Sequence, residues 1–393
     1  MPLLILARLV TSLMSVAILG AAGYLLWSWY DGYWVLDASG ISHQLREPWR
    51  LWTAVGLLAW SLLGRFVMTP LLAKPDTDPT WPERGDHQMI SSPTGSLLYV
   101  EMHGPKDAPP VILTHGWGLD STIWYYLRRH LSQRFRVIVW DLPGLGRSRA
   151  ASGKAVDLSH FALDLKALLG LTGGKPAVLV GHSIGGMTLQ TLVRDHPEVL
   201  GGSVAGLVLV NTTYTNPLRT MVFSGLAQAL RWPLLEPLFR LTIWLQPLAW
   251  LSAWQSYLNG SAHLANRIGF AGQVTRSQLE HNTLLATRNP PAASARGNLA
   301  MFRWDADGAL QAITVPTLIL AGDSDLVTKC EASETLARAT PAGRLEVISD
   351  ANHMGFLERS EIYNEEIARF CELNLVTRTG VGVGAGEPTM TQA

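Results

Sequence analysis

Cysteine is scarce in this sequence, since only Cys330 and Cys371 occur among its 393 residues. Two cysteines cannot build a disulfide framework, and with no second cysteine near either of them a cysteine-rich zinc site is also excluded. We interpret both as small apolar core residues rather than reactive thiols. The cysteine content therefore leaves the redox compartment open.

Charge is also low, because Asp, Glu, Lys and Arg make up only 16% of the residues and 31 basic side chains balance 31 acidic ones. No basic excess is available to bind phosphates, so we exclude nucleic acid as a partner. Apolar residues reach 48%, which excludes disorder for most of the chain. The 15 tryptophans indicate either a large core or contact with lipid.

The first long apolar run covers residues 2–30 and contains one charge, Arg8. It exceeds the length of about 20 residues that crosses a bilayer. A cleaved signal peptide is the alternative, but its apolar region spans only about 7–15 residues. The small residues Ala21 and Ala22 lie inside this run rather than after it. We therefore predict an uncleaved anchor.

A second apolar run covers residues 51–73, with Arg65 as its charge. Aromatic residues flank the link between the two runs, as in an interfacial belt: Trp27, Trp29, Tyr30, Tyr33, Trp34, Trp49 and Trp52. We predict a membrane anchor over residues 1–74 with two transmembrane helices, about 3–30 and 51–73. One span plus a helix on the membrane surface is the alternative. Integral membrane localisation and a lipid bilayer partner follow, with the side of the membrane open.

Residues 75–86 are rich in proline and charge, which is typical of a linker. Short apolar runs then alternate with helically spaced segments over residues 87–373. The strand candidates are 97–102, 111–114, 137–140, 177–180, 207–210, 317–321 and 345–348. The helix candidates are 123–131, 158–169, 188–193, 332–339 and 361–373. This alternation predicts an α/β domain whose mostly parallel sheet is covered by helices on both faces.

One segment, about 214–298, has no clear strand. Within it, residues 232–258 are apolar but divided by three prolines and Arg240, which predicts short lid helices and leaves a transmembrane helix as the alternative. Residues 374–393 carry no apolar period, and we predict a disordered tail there.

The chemistry centres on Gly181-His182-Ser183-Ile184-Gly185, between a strand candidate and a helix candidate. This is the G-x-S-x-G nucleophile elbow in the context that the motif requires. The turn is so tight that a side chain at 181 or 185 would collide with neighbouring backbone. We predict Ser183 as the nucleophile, exposed at the edge of the sheet.

A serine hydroxyl needs a base, and a histidine late in the chain should supply it. His353 follows the last strand candidate and meets this requirement. The orienting carboxylate should come from the loop after the strand candidate 317–321, where Asp323 and Asp325 compete. The order serine, aspartate, histidine matches that of this kind of site, but the loop position does not choose between the two acids.

An oxyanion hole needs backbone N–H groups aimed at the developing charge. Ile184 should supply one, and Trp117 in the loop His115-Gly116-Trp117-Gly118 the other. The Trp117 side chain and His182 are the candidate substrate contacts, although we expect the His182 ring to pack rather than react. His115 is expected to brace the loop. No set of metal-ligating residues is visible in the sequence, and we predict no metal site.

Five segments in this order resemble the α/β-hydrolase superfamily, in its esterase, lipase and haloperoxidase-like branch: HGWG (115–118), DLPGLGRS (141–148), GHSIGG (181–186), GDSDLV (322–327) and NHMG (352–355). The resemblance covers about residues 89–373 and implies an α/β-hydrolase fold with a helical cap after the sixth strand. It assigns the acid to Asp325, with Thr328 where the family usually has proline. Asp323 remains the lesser candidate.

The resemblance implies catalysis by Ser183, Asp325 and His353 through an acyl-enzyme, with no cofactor. We predict a membrane-anchored, carboxylesterase- or lipase-like serine hydrolase acting on a hydrophobic acyl ester or lipid-like small molecule. Acyl transfer, peracid formation and carbon–carbon bond hydrolysis are alternatives on the same fold. A protein that only binds a ligand or partner is the alternative from another class.

Overall fold

The computed structural model describes residues 2–151, 156–306 and 308–376. Its N-terminal part comprises α1 (Pro2–Asp31), the antiparallel hairpin β1 (Tyr33–Leu36) and β2 (Ser42–Leu45), α2 (Pro48–Leu63) and α3 (Arg65–Leu72). Between Ala7 and Asp31, α1 is long and apolar enough to cross a membrane. The expected second helix over 51–73 is instead broken at Gly64, where α2 and α3 meet with a bend of 58°.

Eight strands form the central sheet in the order β10-β9-β8-β7-β5-β6-β4-β3. They are β3 (His87–Ser91), β4 (Leu97–His103), β5 (Pro110–Thr114), β6 (Arg136–Trp140), β7 (Ala177–His182), β8 (Val204–Val210), β9 (Thr317–Gly322) and β10 (Gly343–Ile348). From β5 to β10 all pairs are parallel, while β3 and β4 are antiparallel. The predicted mostly parallel sheet is therefore confirmed, and β3 is an edge strand that the sequence analysis missed.

Two apolar clusters cover the two faces of the sheet. Neighbouring residues of one strand point to opposite clusters, as Val178 and Leu179 of β7 do. Both are completely buried. A parallel strand buried on both faces is apolar throughout rather than alternating, which explains why these strands appear in the sequence as continuous apolar runs.

The helices that flank the sheet are α4 (Tyr125–Leu131), α5 (Leu158–Leu168), α6 (Ile184–Asp195), α14 (Cys330–Ala339), α15 (Gly355–Glu358) and α16 (Ser360–Cys371). The described residues between β8 and β9 form the helical cap: α7 (Pro217–Thr220), α8 (Ser224–Ala229), α9 (Glu236–Trp244), α10 (Gln246–Leu258), α11 (Ser261–Arg267), α12 (Arg276–Arg288) and α13 (Pro291–Met301). Residues 374–376, expected to start a disordered tail, belong to a last helical turn (Glu372–Val376). The remainder of the expected tail lies outside the described residues.

The N-terminal helices pack on the cap through polar contacts. Asn259, between α10 and α11, donates to Ser15 of α1 at 2.8 Å. Gln255 of α10 donates to the Ser61 carbonyl of α2 at 3.1 Å. A methyl group on Gly64 would lie 2.4 Å from the Asn259 carbonyl oxygen, so the cap corner occupies the space beside this residue. The break between α2 and α3 thus coincides with a close backbone contact to the cap.

Part of the segment expected to be a linker, 75–86, is fixed on the domain. Arg84 donates to Asp120 at 2.6 Å and to Asp141 at 3.1 Å. Both carboxylates are buried, and a buried carboxylate needs a paired cation. Thr80, also buried, hydrogen-bonds Tyr126 at 2.9 Å. Composition predicted a linker because it does not report these tertiary partners.

Candidate active site

The turn between β7 and α6 carries Ser183 in a backbone conformation that a serine seldom adopts, with φ 54° and ψ −117°. A methyl group on Gly181 would lie 2.5 Å from the carbonyl carbon of Gly185. One on Gly185 would lie 2.3 Å from the carbonyl oxygen of Thr114. The glycines are therefore required by close backbone contacts, and together they allow the sharp turn that holds Ser183 at the carboxyl end of the sheet.

The structure brings Ser183, His353 and Asp325 together in one hydrogen-bonded row. His353 Nε2 lies 3.1 Å from Ser183 Oγ, and its Nδ1 lies 3.0 Å from Asp325 Oδ2. The three residues are 5, 7 and 4% exposed, respectively. An imidazole between a hydroxyl and a shielded carboxylate is the arrangement that removes a proton from a nucleophile.

The carboxylate of Asp325 is held by five hydrogen-bond donors. Oδ1 accepts from the amides of Val327 (2.7 Å) and Thr328 (2.8 Å), and Oδ2 accepts from the Thr328 hydroxyl, Asn211 and His353. Burial raises the pKa of Asp325, but the charge and hydrogen bond of His353 and the amide of Thr328 outweigh burial and lower it below the usual value. Asp325 is therefore ionised at neutral pH.

Asp323, the competing acid, is exposed and hydrogen-bonds the neighbouring Ser324. The structure thus directs Asp325, and not Asp323, towards His353.

Sequence reasoning missed two residues that support the site. Asn211, just after β8, has φ 44° and donates to Asp325 at 3.0 Å, while Tyr363 donates to its side-chain oxygen at 2.9 Å. Thr328 stands where the resembling family usually has proline, and its amide makes a bond to Asp325 that proline cannot make. Asn211 directly follows a buried strand, and this position could have marked it as a candidate site residue. Its partners Asp325 and Tyr363 are distant in sequence, so the hydrogen bonds themselves could not be predicted.

The loop after β5 carries the predicted oxyanion residue Trp117. Strands β5 and β7 are parallel neighbours, with Thr114 opposite Gly181, so the loops that follow them lie side by side. The Trp117 indole stacks on Phe161 with ring centres 5.9 Å apart and donates to the Ser294 carbonyl of α13 at 2.9 Å. The indole therefore connects this loop to the cap.

His115 and His182 are both buried beside this loop. His115 accepts from the Leu142 amide at 2.9 Å and contacts the Gly116 carbonyl at 2.8 Å, as expected for a residue that braces the loop. The His182 ring packs against Phe356 and His353, and its Nε2 lies 3.0 Å from the His353 carbonyl oxygen. His182 is 1% exposed and its ring packs against that of His353, as expected; its role as a substrate contact stays a prediction.

Residues 109–360 match the alpha/beta hydrolase fold family. The chain belongs to this family. The match extends from β5 into the start of α16 and includes Ser183, Asp325 and His353. The predicted superfamily is thereby confirmed.

Several known proteins are similar to this α/β hydrolase. A non-heme haloperoxidase from Rhodococcus erythropolis is 28% identical over 294 residues, covering 72% of this chain and 98% of the relative. A pimeloyl-[acyl-carrier protein] methyl ester esterase from Yersinia pseudotuberculosis is 25% identical over 286 residues, covering 70% and 98%. The structure of an esterase from Exiguobacterium antarcticum superposes with a TM-score of 0.60 at 22% identity, covering 73% of this chain and all of that one. The last similarity shows the fold, and the curated relatives support a hydrolase.

Within the described residues, no group of three His, Cys, Asp or Glu side chains is arranged to hold a metal ion.

Proposed function

We propose that this α/β hydrolase is a membrane-anchored serine hydrolase that cleaves apolar carboxylic esters through an acyl-enzyme on Ser183. The observation that carries the proposal is the hydrogen-bonded row from Ser183 through His353 to Asp325. His353 takes the Ser183 proton as Oγ attacks the ester carbonyl, and the ionised Asp325 stabilises the resulting imidazolium. His353 then gives the proton to the leaving alcohol. In the second half, His353 takes a proton from a water molecule that attacks the acyl carbonyl, and it returns this proton to Ser183 Oγ as the Oγ–acyl bond breaks and the acid leaves.

The tetrahedral intermediate needs donors for its oxyanion, and we assign them to the amides of Ile184 and Trp117. Ile184 begins α6, and the first amides of a helix have no partner within it. The partial positive charge at this helix end also favours an anion. Trp117 follows β5, whose end adjoins the elbow. The pairing of β5 with β7 supports two converging amides.

Membrane anchoring is supported by α1, which combines a span-length apolar segment with polar contacts to the cap. Ser15 hydrogen-bonds Asn259 and also Ser261, the latter at 2.8 Å, and Arg8 donates to Asn266. Cleavage of α1 as a signal sequence would remove these hydrogen-bond partners from the polar groups of the mature domain. These contacts favour an anchor that stays attached, and alkaline carbonate extraction of the full chain tests it. Release of the intact protein into the soluble fraction would contradict the anchor.

Ester substrates are supported by the relative named as a methyl ester esterase. The test is hydrolysis of p-nitrophenyl esters of increasing chain length by the full chain in detergent. Ser183→Ala should abolish turnover, whereas the control Ser324→Ala, which changes an exposed serine, should retain it. Preference for longer chains would support an apolar substrate. Binding of these esters without turnover by the folded wild type would favour the ligand-binding alternative instead.

The relative named as a haloperoxidase favours a second candidate, in which hydrogen peroxide instead of water takes the acyl group. The same acyl-enzyme would then release a peracid. Adding peroxide and bromide to the ester assay and following halogenation of an organic dye distinguishes the two acceptors. Dye bromination that depends on Ser183 would support peracid formation.

A further inference from the structure

The cap displays an apolar stripe on its outer surface. Leu241 and Trp244 lie three residues apart on α9, and Leu248 and Leu251 lie three residues apart on α10. Trp244 is 78% exposed, and Leu248 and Leu251 are 61 and 64% exposed. We call these four residues the cap stripe. A helix on a water-soluble domain turns its apolar side to the core, so an outward apolar side marks a surface that is covered by something else.

Beyond the cap stripe, the cap exposes further apolar side chains and has few acidic ones. Other large apolar side chains of the cap are also exposed: Phe223, Leu226, Trp232 and Leu234. From position 204 to 279 the sequence contains a single acidic residue, Glu236, which is buried and paired with Arg231 at 2.9 Å. Arg240 is exposed beside the stripe. Exposed apolar and aromatic side chains, in a stretch of sequence whose single acidic residue is buried, match the interface of a phospholipid bilayer.

The cap stripe is continuous with the N-terminal helices. Leu251 precedes Gln255 by four residues, about 6 Å along the helix. Gln255 donates to the Ser61 carbonyl of α2, and Asn259 one turn later donates to Ser15 of α1. The stripe therefore lies next to the helix that we propose to cross the membrane.

Helix lengths place this contact at the edge of the bilayer. From Ser15 to Asp31 α1 rises about 24 Å, and from Pro48 to Ser61 α2 rises about 20 Å, at 1.5 Å per residue. The hydrocarbon core is about 30 Å thick. The helices beyond the cap contact are thus about 6–10 Å shorter than the core is thick. A hairpin that crosses the bilayer therefore brings the end of α10 to the lipid boundary or slightly below it.

We propose that the cap stripe is a second membrane contact, inserted into the bilayer interface beside α1, and that ester substrates reach the site from the lipid phase. The cap stripe is covered by the bilayer surface that faces the hydrolase domain. The entry route rests on the proposed ester hydrolysis, whereas the membrane contact does not.

Spin labels test the membrane contact without reference to catalysis. In a Cys330→Ser, Cys371→Ala background, Trp244→Cys and Leu248→Cys are labelled in the full chain in phosphatidylcholine–phosphatidylglycerol nanodiscs. Val347→Cys, at an exposed position of the edge strand β10, is the matched control. Circular dichroism and thermal unfolding select variants that fold. We expect collisions with oxygen to exceed those with a water-soluble nickel chelate at 244 and 248, and the reverse at 347.

Equal nickel access at 244, 248 and 347 would overturn the membrane contact. A second result would also overturn it: labels at the stripe that are shielded from both oxygen and the nickel chelate, with spin–spin broadening that disappears on dilution with unlabelled protein. That result would show that a second copy of the chain covers the stripe. Neither result depends on whether Ser183 is active, so this failure is distinct from failure of the proposed hydrolysis.

A kinetic comparison tests the entry route. The triple variant Leu241→Ser, Trp244→Ser, Leu248→Ser retains the anchor, and Met89→Ser, Val347→Ser is the control at exposed apolar positions of the sheet edges. We expect the triple variant to hydrolyse a long-chain ester embedded in vesicles at least about tenfold more slowly than the wild type. Its hydrolysis of dissolved p-nitrophenyl acetate should be unchanged. An unchanged rate on the embedded ester, or an equal fall on both esters, would overturn the route.

Discussion

The side-chain amide of Asn211 donates a 3.0 Å hydrogen bond to Oδ2 of Asp325, the same oxygen that faces His353. Asn211 in turn accepts a bond from Tyr363, so its amide orientation is fixed by a second buried partner. The Asp325 carboxylate is therefore held in part by a residue outside the row of Ser183, His353 and Asp325.

Asn211→Ala should lower kcat about tenfold with little change in KM, because one charge-assisted bond that orients Asp325 is lost. Steady-state kinetics on a p-nitrophenyl ester measures both constants. Asn374→Ala, which removes a half-buried amide on the last helical turn, is the control and should leave both unchanged. An unaltered kcat for Asn211→Ala would show that Asp325 is held without this bond.

The two acids of the loop after β9 should differ sharply in importance. Asp325→Asn should reduce kcat about 10⁴-fold, because the amide favours the wrong tautomer of His353 and provides no charge for the imidazolium. Asp323→Asn, two residues away on an exposed side chain, should retain activity. The two variants are compared in the same ester assay. A larger loss for Asp323→Asn would reverse the assignment.

Gly185→Ala should destabilise the protein by about 3 kcal/mol and remove activity, because the new methyl group meets backbone that cannot move aside. The closest atom is the Thr114 carbonyl oxygen, at 2.3 Å. Gly170→Ala is the matched control, since its methyl group meets nothing within 4 Å. Thermal unfolding in detergent compares them. Similar melting temperatures for the two variants would contradict the described turn.

Acid should destabilise the protein partly through Glu101. Burial raises its pKa, but hydrogen bonds from His103, Tyr99 and the Gly85 amide outweigh burial and lower it to about 2. Because the folded-state pKa lies below that of the unfolded chain, the stabilisation is complete above pH 4.5 and is lost as the pH falls towards 2. This amounts to about 3 kcal/mol at most.

Glu101→Gln should therefore lower stability at pH 7 and make stability less dependent on pH between 5 and 2. Denaturant unfolding at a series of pH values measures this slope. Glu346→Gln, at a more exposed position of β10, is the control and should follow the wild type. A wild-type slope in Glu101→Gln would assign the acid sensitivity to other groups.

The sequence predicted the parts of the site that local sterics determine. The glycines around Ser183 are required by contacts within a few residues or with the neighbouring strand, so the motif and its context could be recognised. The strands from β4 to β10 were found because both faces of each inner strand are buried and its residues are therefore apolar. His353 was found because it follows the last strand of the sheet.

Features that depend on distant partners could not be predicted from the local sequence. Asp325 and Asp323 occupy the same loop, so its residues alone did not choose between them. The family resemblance favoured Asp325, and the tertiary structure directs that carboxylate towards His353. Arg84 belongs to a segment with linker composition, yet it pairs with two buried carboxylates far along the chain. The break at Gly64 coincides with a close backbone contact to Asn259, which lies in the cap.

Labelling of the active serine tests the central claim most directly. The full chain in nanodiscs is treated with a fluorophosphonate, digested, and analysed by mass spectrometry for the peptide that contains Ser183, alongside Ser183→Ala and His353→Ala. We predict that the wild type carries the label on Ser183, that Ser183→Ala carries none, and that His353→Ala reacts at least about 10³-fold more slowly because the base is missing. A folded wild type that remains unlabelled, or one labelled at another serine, would contradict the account.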